Sequence, residues 1–140
     1  MSEVMGQTQE TYCLDILENG CGELGLSLTD VQKQQFVRYY EMLVEWNSFM
    51  NLTGITEYEE VMKKHFIDSL SLTRIFDTSR ECRVIDVGTG AGFPGLALKI
   101  AFPWMEITLL DSLNKRLQFL DAVIAELGLD GVHTLHGRAE

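Results

Sequence analysis

Through the first half of the chain apolar residues recur at helical spacing; near residue 82 the rhythm changes. Tyr12, Ile16 and Leu17 give a short apolar stripe, weakened by Gly20, Gly22 and Gly25, and Leu26-Ser27-Leu28 reads as a turn. Thr29 and Gln32 have the spacing of a capping box, predicting a helix from there to about Phe49. Phe36, Tyr40, Leu43 and Asn47 fall near one face of it, with Tyr39 and Trp46 beside them. Asn51-Leu52-Thr53-Gly54 reads as a turn. Thr56 and Glu59 predict a second capping box, opening a helix through Val61, Met62 and His65 whose pattern continues to Phe76.

From residue 82 short β-branched runs alternate with helical stretches. Arg83 to Val87 predicts a strand that ends in Gly88-Thr89-Gly90-Ala91-Gly92. Pro94 stands where a helix should begin, a position that tolerates its missing N–H, and Leu96, Ala97, Ile100 and Ala101 make a short helix stopped at Pro103. Ile107 to Leu110 predicts a second strand, closed by Asp111. Leu113, Leu117, Leu120, Ile124 and Leu127 follow at helical spacing, with Gly128 as the stop. Val132 to Leu135 predicts a third strand. Strand, helix, strand, helix, strand implies an α/β fold with a parallel sheet and right-handed crossovers. The expected division is a helical segment at 1–80 and the α/β part at 81–140, joined by Asp77-Thr78-Ser79-Arg80-Glu81.

Composition narrows this picture. The chain has 140 residues, 46% of them hydrophobic and 23% charged, with a net charge of −10. That apolar fraction argues against a disordered chain, and the length allows one core without disulfides or metals. No run approaches the ~20 apolar residues of a membrane span, and the acidic start lacks the marks of a signal peptide. Cys13, Cys21 and Cys82 fit no zinc or redox spacing; an odd count reads as reduced thiols in a cytoplasm. Residues 1–60 carry two basic groups against eleven acids, whereas residues 61–140 carry nine against ten. The acidity therefore belongs to the helical segment and leaves a polyanionic partner possible for the second.

Four of the twelve glycines fall between positions 88 and 95, after a strand and before a helix. Glycines let a backbone approach a ligand closely, and the following helix offers free N–H groups. Two registers overlap. Gly90, Gly92 and Gly95 satisfy the dinucleotide pattern G-x-G-x-x-G. Gly88, Gly90 and Gly92 satisfy G-x-G-x-G with Asp86 two residues before, and this register is favoured because it keeps Gly88 and Thr89 out of the strand. Asp111, at the end of the second strand, suits both hydroxyls of an adenosine ribose, in NAD and S-adenosylmethionine alike. It also stands where it could cap the next helix, a duty Ser112 or Asn114 could share.

The stretch Asp86-Val87-Gly88-Thr89-Gly90-Ala91-Gly92-Phe93-Pro94-Gly95, followed by Leu109-Leu110-Asp111-Ser112-Leu113 and Lys115-Arg116, resembles the ribosomal RNA small subunit methyltransferase G (GidB) family. Trp46-Asn47, Asn51-Leu52-Thr53 and His65-Phe66-Ile67-Asp68-Ser69-Leu70 resemble its N-terminal helical region, and Gly137-Arg138-Ala139-Glu140 the motif after its third strand. The resemblance covers roughly residues 24–140. It implies a class I, Rossmann-like S-adenosylmethionine-dependent methyltransferase acting on N7 of a guanine in small-subunit (16S) ribosomal RNA, in the cytoplasm. It further implies that Gly88 and Phe93 line the methionine end of the cofactor, Asp111 holds the ribose, and Ala139 and Glu140 border the adenine. Asp86 and Gly90 would shape the same pocket. Members of the family run well past 200 residues, so the chain reads as a fragment truncated after the third strand. A methyltransferase of a small molecule or protein, an NAD-dependent oxidoreductase and a non-enzymatic interaction module are the alternatives.

The remaining polar and aromatic candidates have plainer readings. His65 and Asp68, one helical turn apart, could form a hydrogen-bonded pair, and packing or capping of the helical segment is preferred to a catalytic or metal role. His133 and His136 fall on opposite strand faces and suit no metal. Tyr39, Tyr40 and Trp46 could stack on bases but stand at core spacing. Lys63-Lys64, Lys115-Arg116 and Arg138 are candidate phosphate contacts or solvated helix faces. No metal site is expected.

Overall fold

The computed structural model describes residues 12–74 and 83–138; the expected linker 77–81, Cys82, and Ala139 and Glu140 lie outside the described residues. Two helices open it, α1 (Asp15–Glu23) and α2 (Asp30–Asn47). A composite third helix, α3, covers residues 58–74. It starts with one α-turn (Tyr58–Glu60), becomes a π-helix (Val61–Ile67), returns to α (Asp68–Leu70) and ends as a 3-10 turn (Ser71–Arg74). Then follow β1 (Arg83–Val87), α4 (Gly95–Ala101), β2 (Glu106–Asp111), α5 (Asn114–Leu127) and β3 (Val132–His136). The strands form a parallel sheet in the order β1-β2-β3, with Val84 beside Ile107 and Ile107 beside Val132.

Alternation along the strands decides which face is covered. Ile107, Leu109 and Asp111 of β2 are buried under α4 and α5, while Thr108 and Leu110 between them are half-buried. On β1 the same rule buries Asp86 and leaves Ile85 and Val87 66% and 55% exposed. β1 is an outer strand of the described sheet.

The helical segment is seated on the sheet's helices. Phe36, Tyr39 and Leu43 of α2 and Met62, Phe66 and Leu70 of α3 share one core with Leu96, Ile100, Leu109, Leu117 and Leu120. Helix ends leave carbonyls without partners, and α2 supplies them. Gln32 closes the expected capping box with Thr29 and turns its amide to the carbonyls of Ile100 and Ala101 at the end of α4, at 3.0 and 3.2 Å. Gln35 donates to the carbonyl of Leu127 at the end of α5, at 3.1 Å, and Arg38 pairs with Glu126 at 2.9 Å. Inside the turn from α4 to β2 the buried Lys99 ammonium donates to the carbonyls of Pro103 and Met105. Burial lowers its pKa, with Asp130 and Glu106 pulling the other way.

The second expected capping box does not form. Helix α3 begins at Tyr58, one residue after Glu57 as N-cap, without a side-chain cap. The Thr56 carbonyl instead accepts the Tyr40 hydroxyl at 2.9 Å. Cys13 and Cys21 are free thiols; burial pushes the Cys21 thiol up to about 11, which keeps it protonated and inert. Among the described residues no helix is long and apolar enough to cross a membrane.

Candidate functional site

The loop between β1 and α4 is built from Asp86 upward. Asp86 is buried at the base of the loop, and its Oδ2 accepts the Thr89 hydroxyl at 2.6 Å and the Gly95 N–H at 2.9 Å. Desolvation raises its pKa; these two donors pull it back, and nearby Asp111 raises it again. One carboxylate thus ties the loop's start to the first turn of α4. The Gly88 and Thr89 N–H groups both donate to Leu110 at the end of β2.

The four glycines divide into two pairs. Gly88 and Gly90 have φ of +68° and +59°, the left-handed region that side chains disfavour, and a Cβ at either would meet nothing within 4 Å. Gly92, at φ +100°, is packed: a Cβ there would overlap the Tyr39 hydroxyl and lie 3.0 Å from side-chain carbons of Leu96 and Leu120. A Cβ at Gly95 would overlap Leu109 and come within 3.0 Å of Asp86 Oδ2. The two open glycines are the first two of G-x-G-x-G.

This division bears on the dinucleotide register. That pattern needs its second glycine open to a pyrophosphate and free N–H groups behind it. Here that glycine is Gly92, closed in by Tyr39, Leu96 and Leu120. The Gly92 N–H donates to Thr89, the Gly95 N–H to Asp86 and the Leu96 N–H to Gly92. The Asp86 carboxylate thus occupies an N–H that a phosphate would need.

Asp111 ends β2 and is 2% exposed. Its Oδ1 accepts the Leu113 N–H at 2.9 Å, and its Oδ2 accepts the Gly90 N–H at 2.8 Å with Arg116 Nη1 at 3.6 Å. Burial alone would raise its pKa; the two N–H donors and the Arg116 guanidinium outweigh burial and hold it below the ordinary carboxylate range. The turn before α5 is therefore held by Asp111; the N-cap residue is Leu113, and neither Ser112 nor Asn114 caps the helix. Structural duty and a place on the cavity wall coincide in this residue. Gly88, Leu110, Asp111, Ser112, Gly137 and Arg138 line a cavity of about 230 Å³. The chain reaches it because the Gly137 N–H donates to the Asp111 carbonyl at 3.0 Å.

Phe93 points elsewhere. Its ring lies between His65, stacked nearly parallel at a centroid distance of 4.4 Å, and Tyr39, at 5.5 Å. It lines a second cavity of about 280 Å³ against α3, with Lys64, His65, Asp68, Ser71 and Pro94. Gly88 and Asp111 are brought together; the Phe93 side chain is committed to the helical segment. Tyr39 completes that link by donating its hydroxyl to the Ala91 carbonyl at 2.5 Å. Burial, and secondarily the Asp86 charge, raise the Tyr39 pKa well above its ordinary value, so it donates. Tyr39→Phe should cost about 1–2 kcal/mol in urea unfolding, because it leaves a buried carbonyl without a partner.

The hydrogen bond that the spacing of His65 and Asp68 allows does not form. His65 Nε2 bonds Thr53 Oγ1 at 2.8 Å, and Asn47 Oδ1 holds that turn by accepting the Leu52 and Thr53 N–H groups. Burial lowers the His65 pKa, against the opposing pull of Asp68. Tyr39 is core, as its spacing suggests. Of the candidate phosphate contacts, Lys64 lies 3.6 Å from Glu60 and Arg116 neighbours Asp111, while Arg138 lines the smaller cavity. Among the described residues no three His, Cys, Asp or Glu side chains gather where a metal could be held. Sequence reasoning missed the Tyr39 and Phe93 contacts, for which no local pattern exists, and gave Arg116 no part in fixing Asp111.

The sequence pattern of one protein family, described as GidB, rRNA small subunit methyltransferase G, matches residues 32–140. The protein named Ribosomal RNA small subunit methyltransferase G of Alkaliphilus metalliredigens is 58% identical over 125 residues, 89% of this chain and 52% of the relative. Proteins of the same name from Lachnoclostridium phytofermentans and Alkaliphilus oremlandii are each 54% identical, over 86% and 90% of this chain and 50% and 53% of their own lengths. The chain spans about half the length of the curated relatives it matches.

Proposed function

The chain belongs to the rRNA small subunit methyltransferase G family, and we propose that it carries the cofactor-binding half of an enzyme that methylates N7 of a guanine in small-subunit (16S) ribosomal RNA. The observation that carries this reading is the cavity where open, left-handed Gly88 meets the buried Asp111 carboxylate. S-adenosylmethionine fits those residues. Its ribose offers two hydroxyl donors, and each Asp111 oxygen has acceptor capacity beyond the N–H it already takes. Gly88 leaves room for a close approach of the backbone. Gly137 and Arg138 lead to Ala139 and Glu140, which we assign to the adenine. Phe93, clamped between Tyr39 and His65, fixes the end of the glycine loop beside the methionine group. In this reading residues 1–80 form a helical segment and residues 81–140 the first part of the methyltransferase domain.

When bound, the cofactor supplies an electrophilic methyl group on a sulfonium. Guanine N7 has an in-plane lone pair and no proton to lose, so no general base is required of the protein. Its task is alignment and the electrostatics around a cationic donor. Asp111 on the cavity wall would supply negative charge there, and the bonds of Asp86 to Thr89 and Gly95 hold the loop in place. The proposed site of action is the cytoplasm, with rRNA phosphates meeting Lys63, Lys115 and Arg138.

The test is calorimetry with the full-length protein, followed by mapping of N7-methylguanine in the rRNA of a strain lacking and then regaining the gene. Expected are binding of S-adenosylhomocysteine, no binding of NAD, and one N7-methylguanine that disappears and returns. NAD binding, or an unchanged methylation map, would overturn the reading.

A further inference from the structure

We propose that the cavity between α3 and the end of the glycine loop receives the target guanine, and that Asp68 recognises its Watson–Crick edge. The proposal rests on the functional reading above and extends it to base recognition. If N7 is the reacting atom, the Hoogsteen edge must stay open towards the methyl donor. The protein can then read the base only from its other side, where N1–H and N2–H₂ present adjacent donors. A carboxylate accepts both at once and rejects adenine, whose N1 is an acceptor.

Asp68 meets these requirements. It is exposed on the wall of the 280 Å³ cavity; its carboxylate accepts no hydrogen bond from any described residue, and its charge acts on neighbouring His65. Its backbone is held: the Asp68 carbonyl accepts the Ser71 hydroxyl at 2.5 Å, and one turn earlier the His65 carbonyl accepts the Ser69 hydroxyl at 2.5 Å. The π-helical segment ends at Ile67, immediately before it, and such segments often occur at functional sites. The opposite wall is Phe93-Pro94, the last residues of the loop that would position the methyl donor. Gly88 and Asp111 line the other cavity, so Asp68 stands apart from the ribose seat. Lys64, also on the wall, supplies the charge that an RNA strand needs beside a carboxylate.

The test compares the full-length wild type with Asp68→Asn on target RNA carrying either guanine or inosine, which lacks the N2 amino group, at the mapped position. Asp68→Asn should lower kcat/KM on guanine RNA about 10- to 100-fold, the range of a bidentate base contact, with affinity for S-adenosylhomocysteine within twofold of wild type. Inosine should slow the wild type about tenfold and leave the variant's rate unchanged. Equal inosine penalties in both proteins, or a variant as fast as wild type, would overturn the proposal. So would a loss of S-adenosylhomocysteine affinity, which would assign Asp68 to the methionine ammonium. A wild type that neither binds S-adenosylhomocysteine nor methylates RNA would instead sink the functional reading beneath it.

Discussion

Gly92→Ala should destabilise this chain by about 3–5 kcal/mol, while Gly88→Ala should cost only about 1–2 kcal/mol. Both residues have positive φ and both stand in the same glycine run, so the backbone penalty is shared. The difference lies in what the added methyl meets. At Gly92 it would overlap the Tyr39 hydroxyl and crowd Leu96 and Leu120, all of them core groups with nowhere to move. At Gly88 it would meet open space. Gly95→Ala should behave like Gly92→Ala, although its φ is not positive, because the methyl would overlap Leu109 and press on Asp86. Urea unfolding of the three variants measures this directly. Equal losses for Gly88→Ala and Gly92→Ala would show that conformation alone, and not packing, demands glycine in this loop.

The ligand response should run the opposite way. Gly88→Asp should leave a folded protein that has lost S-adenosylhomocysteine, since the new side chain enters the space beside Asp111 and adds a second carboxylate there. A Gly88→Asp variant that binds like wild type would place the cofactor elsewhere.

The elements from residue 82 onward were legible because strand and helix there are bounded by residues that force a boundary. Val84-Ile85-Asp86-Val87 runs into glycines that only a turn can use, and Gly128 ends α5 at φ +65°, the left-handed stop its position predicts. The strands stand at their expected positions to within a residue. The helical segment was harder. Thr56 and Glu59 have capping-box spacing, but the Tyr40 hydroxyl claims the Thr56 carbonyl and the helix opens at Tyr58; only a tertiary contact decides that. The π-helix at Val61–Ile67 widens the turn, and a period of 3.6 drawn through Met62, Phe66 and Leu70 does not reveal it. Glycine count exposed the loop, yet nothing in the letters tells Gly88 from Gly92, because the distinction lies in what surrounds an absent atom. The bonds that Gln32 and Gln35 make to the ends of α4 and α5, and that Lys99 makes inside the turn after α4, carry no local signal for the same reason: their partners are backbone carbonyls placed by the fold.

Asp111→Asn should be the most damaging single-atom change at the site. The carboxylate's two oxygens accept two separate N–H groups, from Gly90 and Leu113, and an amide offers one oxygen and turns an NH₂ towards the other donor. The variant should lose about 2–3 kcal/mol of stability, the cost of an unsatisfied buried donor beside the unpaired charge of Arg116. In the full-length protein its affinity for S-adenosylhomocysteine should fall at least about tenfold, a loss of about 1.4 kcal/mol, as expected for one charged hydrogen bond to a ribose hydroxyl. The pH dependence separates the carboxylate's contribution from packing. Its folded pKa lies below the ordinary 3.8, so its contribution is fully present above that value and is lost as pH falls through the folded pKa. Wild-type and variant stabilities, measured by urea unfolding from pH 7 to the lowest pH at which both fold, should therefore differ most above pH 4 and draw together below it. A gap that stays constant through the acid range would mean that the ionised carboxylate is not what holds Gly90 and Leu113. A gap that closes, with S-adenosylhomocysteine affinity unchanged in the variant, would leave Asp111 as a turn-holding residue and move the ribose to another partner.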